Sequence, residues 1–131
     1  MSLIAQRETN INLVSTYQIR SLRSLADVDR WFAAVLLPSD VTIRRIQLEN
    51  SNGLNSEGAG TIEIEPKTAA KGLSAPAIDH DADYLYFNLT YANVNLTVSI
   101  HLTDWVISVV GKKKFASQLN ALAAILKLNE E

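Results

Sequence analysis

The most regular alternation of apolar and polar positions lies between Tyr84 and Leu102, YLYFNLTYANVNLTVSIHL. Leu85, Phe87, Leu89 and Tyr91 fall on odd positions; Val94, Leu96, Val98, Ile100 and Leu102 fall on even ones. A period of two marks a strand with one buried face. The change of parity at Ala92-Asn93 marks a chain reversal. Folding the chain there opposes Tyr91 to Val94, Leu89 to Leu96, Phe87 to Val98 and Leu85 to Ile100, so one face is apolar throughout. The other face opposes Thr90 to Asn95, Asn88 to Thr97, Tyr86 to Ser99 and Tyr84 to His101. A slip of one residue would turn every apolar side chain to the wrong face, so this register is strongly specified. The tripeptide Asn-Leu-Thr occurs at 88–90 and again at 95–97. It matches a glycosylation acceptor pattern, but two strands presenting the same polar types across from one another account for it.

The same pattern predicts the remaining elements. Residues 10–20 alternate, with Ile11, Leu13, Tyr17 and Ile19 on one parity: a strand. Ser24, with Asp27 three residues on, resembles a helix capping box. Leu25, Val28, Phe32, Val35 and Leu36 then follow at helical spacing, with Trp31 beside the stripe, until Pro38 stops the helix. Residues 41–49 form a strand whose parity switches at Arg44-Arg45, which predicts a β-bulge. The run 50–60, NSNGLNSEGAG, is turn chemistry, and 61–65 alternates again, giving a hairpin with a long loop. Residues 66–83 read as a connection. Thr103-Asp104 predicts a turn and 105–110 a buried strand, with Gly111 preceding the last element. Phe115, Leu119, Leu122, Ile125 and Leu126 predict an amphipathic helix, starting near Phe115 and running to the C-terminus.

The resulting order is β-α-β-β-β-β-β-α. With short links it predicts an α+β fold: an antiparallel, curved sheet with the C-terminal helix packed on one face. The order resembles that of helix-grip, lipid-binding-type domains. That resemblance would imply a cavity for a small apolar ligand under the terminal helix.

Composition narrows the function. A chain of 131 residues, 47% of them apolar, is expected to be a single domain, 1–131, with a core of its own. It contains no cysteine, which removes disulfides, thiolate nucleophiles and sulfur-ligated zinc and fits a cytoplasmic setting. No stretch reads as a secretory signal or a membrane span, so no membrane partner is expected. The net charge is −2, unevenly spread: the first 45 residues and the last 20 are basic, and the middle is acidic. That balance argues against nucleic acid as a partner.

Four places could carry chemistry. From Tyr84 to Thr103 there is no Asp, Glu, Lys or Arg. Exposed strand faces usually carry charge, so the neutral face of Tyr84, Tyr86, Asn88, Thr90, Asn95, Thr97, Ser99 and His101 is a candidate surface for a protein partner or for self-association. The bland alternative is an ordinary wet sheet face. The segment DHDAD, with Asp79, His80, Asp81 and Asp83, lies near His101 once the hairpin forms. A hard divalent metal or an acid/base pair could use this cluster, though the glycine and glutamate of a calcium loop are missing from their positions. Lys112, Lys113 and Lys114 precede the last helix, where an anion could sit, although these lysines oppose the helix dipole. The glycine-rich loop at 50–60 holds no Lys, His or Asp and reads as a plain hairpin tip. No nucleophile elbow, zincin motif or dinucleotide fingerprint occurs. The sequence therefore reads as a non-catalytic interaction protein needing no cofactor, with an apolar-ligand binder and a small His/Asp enzyme as the alternatives.

Overall fold

The computed structural model describes residues 3–35, 37–50, 60–64 and 82–128. Its elements are β1 (Leu3–Glu8), β2 (Asn12–Gln18), α1 (Leu25–Ala34), β3 (Val41–Asn50), β4 (Gly60–Ile64), β5 (Tyr84–Tyr91), β6 (Val94–His101), β7 (Val106–Lys112) and α2 (Ala116–Ile125). A 3-10 turn at Lys113–Phe115 leads into α2. The strands form one seven-stranded sheet in the order β1-β2-β7-β6-β5-β3-β4, antiparallel at every pairing. The fold is α+β.

The β5–β6 register is the one that alternation dictates, from Tyr91 opposite Val94 to Tyr84 opposite His101. The reversal is a two-residue loop with Ala92 at φ 50 and Asn93 at φ 66. This is the twisted turn that tight hairpins favour, closed here with alanine where glycine or asparagine is usual. The bulge in β3 falls between Ile43 and Arg45. It returns Ile46 and Leu48 to the buried face that Val41 shares.

Both helices lie against one face of the sheet. Ser24 caps α1 by accepting from the Asp27 N–H at 3.1 Å, and the Asp27 carboxylate accepts in turn from the Arg23 N–H. The Phe32 ring of α1 stacks on Phe87 of β5 at 5.3 Å, and Trp31 meets Phe87 edge-on at 6.4 Å. Leu119 and Leu122 of α2 are buried. Gly111 of β7 lies under Leu119, close enough that a side chain there would touch it. The Trp31 Nε1–H donates to the Leu126 carbonyl at 2.8 Å, joining the end of α1 to the end of α2.

Five points differ from the alternation reading. Helix α1 ends at Ala34, with Val35 already extended, before Pro38 is reached. The strand β1 is added at the edge; Leu3 and Ile4 are adjacent, so its residues show no clean period, and pairing with β2 defines it. Trp105 is not in a strand: it sits at φ 61, an unusual conformation for so large a side chain, and its N–H donates to the His101 carbonyl at 2.8 Å. At its other end β7 runs past Val110, through Gly111 opposite Leu13, to Lys112. Finally, α2 stops at Ile125 and does not run on. Lys127 adopts φ 61. Leu128 donates to the Ala123 carbonyl and Lys127 to the Ala124 carbonyl, at 2.9 and 3.1 Å. This is a Schellman ending, and buried Leu128 seals it. A lysine in the glycine position hides that signal from a reading of residue types.

Candidate interaction face

The side of the sheet away from the helices carries the polar residues of the hairpin. Strand order then adds what the hairpin alone could not show. Because β7 lies beside β6, and β2 beside β7, the row Gln47, Tyr86, Ser99, Ser108 and Thr16 runs across five adjacent strands. The next row runs Arg45, Asn88, Thr97, Val110, Val14 and Arg7. Val14, Thr16, Ser108 and Val110 therefore belong to the same surface as the hairpin residues. The polar parity of 10–20 hinted at Thr16, but no local signal places β7 between β2 and β6. On the outward positions of β5, β6, β7 and β2, Lys112 is the single Asp, Glu, Lys or Arg. Arg7, Arg45, Glu49 and Glu63 stand on the flanking strands.

Part of this face is tied down by its own hydrogen bonds. Thr97 Oγ1 donates to Asn88 Oδ1 at 3.1 Å, and Asn88 Nδ2 donates to Gln47 Oε1 at 3.2 Å. Thr90 Oγ1 reaches Asn95 Oδ1 at 3.4 Å. The Tyr84 ring stacks between Tyr86, at 5.7 Å, and His101, at 4.7 Å. Burial, followed by the nearby Glu49 and Tyr84, pushes the Tyr86 phenol above its ordinary pKa. Tyr86 therefore keeps its proton and can donate. The hydroxyls of Tyr86, Ser99 and Ser108 have no side-chain hydrogen bond among the described residues.

At one end of the hairpin, His101 Nδ1 lies 2.9 Å from Asp104 Oδ1, and that same oxygen accepts from the Val106 N–H at 3.1 Å. Burial works to raise the Asp104 carboxyl; the Val106 N–H and His101 outweigh it and hold the group below its ordinary value. Thr103 Oγ1 lies 3.1 Å from His101 Nε2 and 3.4 Å from Nδ1. Near-equal distances put the hydroxyl beside both nitrogens, not in line with one of them as nucleophile activation requires. The arrangement orients a histidine and braces a turn. Of the metal candidates, Asp83 and His101 are described; Asp79, His80 and Asp81 lie outside the described residues, as does the 51–59 loop. Among the described residues no three His, Cys, Asp or Glu side chains gather to hold a metal.

A carboxyl held below its ordinary value favours the fold while ionised. Asp104's contribution is complete above the unfolded value near 3.8 and is lost as pH falls through the lower folded value. The variant Asp104→Asn keeps an acceptor for Val106 but loses the charge. We expect wild type to be the more thermostable at pH 6, with the gap closing as pH falls below about 4. Thermal midpoints measured from pH 7 down to acid check this; a gap that stays constant would remove the carboxylate's charge from the account.

The other candidates divide as follows. Lys112, Lys113 and Lys114 are exposed and border an open depression of about 340 Å³ with Asn10 and Ile11. The Lys114 Nζ lies 5.1 Å from the Phe115 ring centre. The α-helix begins past them at Ala116, after the 3-10 turn. On the covered side of the sheet, the gap bounded by Trp31, Phe32, Phe87, Val98 and Leu126 is about 10 Å³. That is room for about one water, against the roughly 300 Å³ or more of a small-molecule pocket.

The fold and its exposed surface define a small α+β protein: one antiparallel sheet with two helices on one face and, on the other, a polar surface that is nearly uncharged across β5, β6, β7 and β2. Compared with protein-family models, curated proteins and solved structures, the chain matches none. No helix among the described residues is long and apolar enough to cross a membrane.

Proposed function

We propose that this chain is a non-catalytic interaction protein that docks a protein through the outward face of β5, β6, β7 and β2. The carrying observation is the near absence of charge across four adjacent strands that neither helix covers. A solvent-facing sheet surface is normally charged, which discourages sheets from associating. A neutral surface lowers the desolvation cost of docking, because hydroxyls and amides lose less hydration than ions do. Tyr84, Tyr86 and His101 are already stacked, so little side-chain freedom is lost on binding. The pattern of a neutral centre with charges on the flanking strands is that of an interface core and its rim. This reading calls for no metal or cofactor, and we place the protein in the cytoplasm, since a cysteine-free chain needs no oxidising compartment.

The test is a photo-crosslinking amino acid placed at Thr97 or Ser99 in the cell, with a control position at Ser117 on α2. Adducts at the face and none at Ser117 are expected, and Tyr86→Lys should abolish them without changing the circular dichroism spectrum. Equal adducts at all positions, or none at the face, would leave it a wet surface.

A further inference from the structure

We propose that the occupant of this face is a second copy of the same chain, paired about a twofold axis near the row Tyr86–Ser99–Ser108. The inference rests on the face being an interaction surface and adds which partner it takes. In a twofold interface the same patch meets itself. Near the axis each side chain faces its own kind, so a lysine would oppose a lysine and a glutamate a glutamate. A hydroxyl carries both a donor and an acceptor, so two identical hydroxyls can always pair.

The centre of this face has that chemistry. Tyr86, Ser99 and Ser108 stand side by side on three adjacent strands, and their hydroxyls have no side-chain hydrogen bond among the described residues. Their neighbours Asn88 and Thr97 are already bonded to each other. Thr16, next along the row, donates to the Ala5 carbonyl at 3.2 Å and accepts no side-chain hydrogen bond among the described residues. The nearest formal charge on the four strands, Lys112, lies at the end of β7. The whole chain carries only −2, so copies meet with little long-range repulsion.

Size sets the strength. Strands about 4.8 Å apart and about 25 Å long give four of them roughly 500 Å². Two copies would then bury about 1,000 Å², the lower end for specific interfaces. The dimer is therefore one that dissociates on dilution.

Sedimentation equilibrium of the full chain, from about 1 to about 300 µM, spans the range for such an interface. The mass should rise from 14.4 kDa towards twice that value. Ser108→Glu sets two carboxylates against each other at the axis and should stay monomeric throughout. The chain has no cysteine, so a short thiol crosslinker should join Ser99→Cys or Ser108→Cys chains and leave Ser117→Cys chains single. That arm decides the matter even if Ser108→Glu fails to fold. A monomer at every concentration, or crosslinking at Ser117 as fast as at Ser99, overturns the proposal. Monomeric chain alone, with adducts at the face in cells, would assign the face to a different protein and sink only the second copy; a monomer without adducts would sink the interaction reading as well.

Discussion

Replacing Phe87 by alanine is expected to remove about 3–5 kcal/mol of folding stability. Phe87 is 2% exposed and lies on β5 in the middle of the sheet. Its ring takes the stacking contact from Phe32 and the edge contact from Trp31, so it is the main sheet-side anchor of α1. Truncation loses the burial of the ring and leaves a cavity beside the gap that Trp31, Val98 and Leu126 already border. Collapse into that cavity is limited, because Trp31 is tied to the Leu126 carbonyl. Small domains are stable by only about 5–15 kcal/mol, so the variant should unfold at a much lower urea concentration, or not fold at all. Phe87→Leu separates the terms: it keeps most of the volume and loses the aromatic contacts, which are worth about 0.5–1.5 kcal/mol. Urea unfolding of both variants measures the difference. A loss below about 1 kcal/mol for Phe87→Ala would mean that α1 does not rest on β5 as described.

Gly111→Val is expected to cost about 2 kcal/mol, by overpacking. A side chain at 111 would press on Leu96 Cδ2 and meet Leu119 Cδ2 at 3.4 Å. Two opposing effects act here. Glycine inside a strand is itself unfavourable by about 0.5–1 kcal/mol, so Gly111→Ala gains part of what the clash removes. Valine adds two further methyl groups between β7 and α2, and there the clash wins. Leu96 and Leu119 are both buried, so neither yields freely. The distinguishing measurement is a double-mutant cycle with Leu96→Ala, which vacates the space. The pair should be more stable than the sum of the singles predicts, by about 1 kcal/mol or more. Strict additivity would show that Gly111 is not held by close approach.

How legible the molecule is in its sequence depends on whether a feature is local. Leu85, Phe87, Val98 and Ile100 can avoid water in one register only, so the β5–β6 hairpin is written in the alternation itself. The same holds for the bulge at Arg44-Arg45, where parity must be restored, and for the cap at Ser24. The eight hairpin residues of the candidate face follow from that register, because whatever alternates with a buried position must point away from the core.

Strand order is another matter. A period of two says which face a residue occupies and not which strand lies beside it. Long-range packing alone decided that β7 inserts between β2 and β6, bringing Thr16 and Ser108 into line with Ser99 and Tyr86. It also decided that Leu3–Glu8 joins as an edge, through backbone hydrogen bonds that ask little of side chains. Ala92, Trp105 and Lys127 hold positive φ in places where residue preference predicts none, because the paired strands, the His101–Asp104 turn and the buried Leu128 outweigh local cost. Local residue pattern thus sets the faces; packing sets the neighbours, since burial is a property of one position and adjacency is a property of the whole chain.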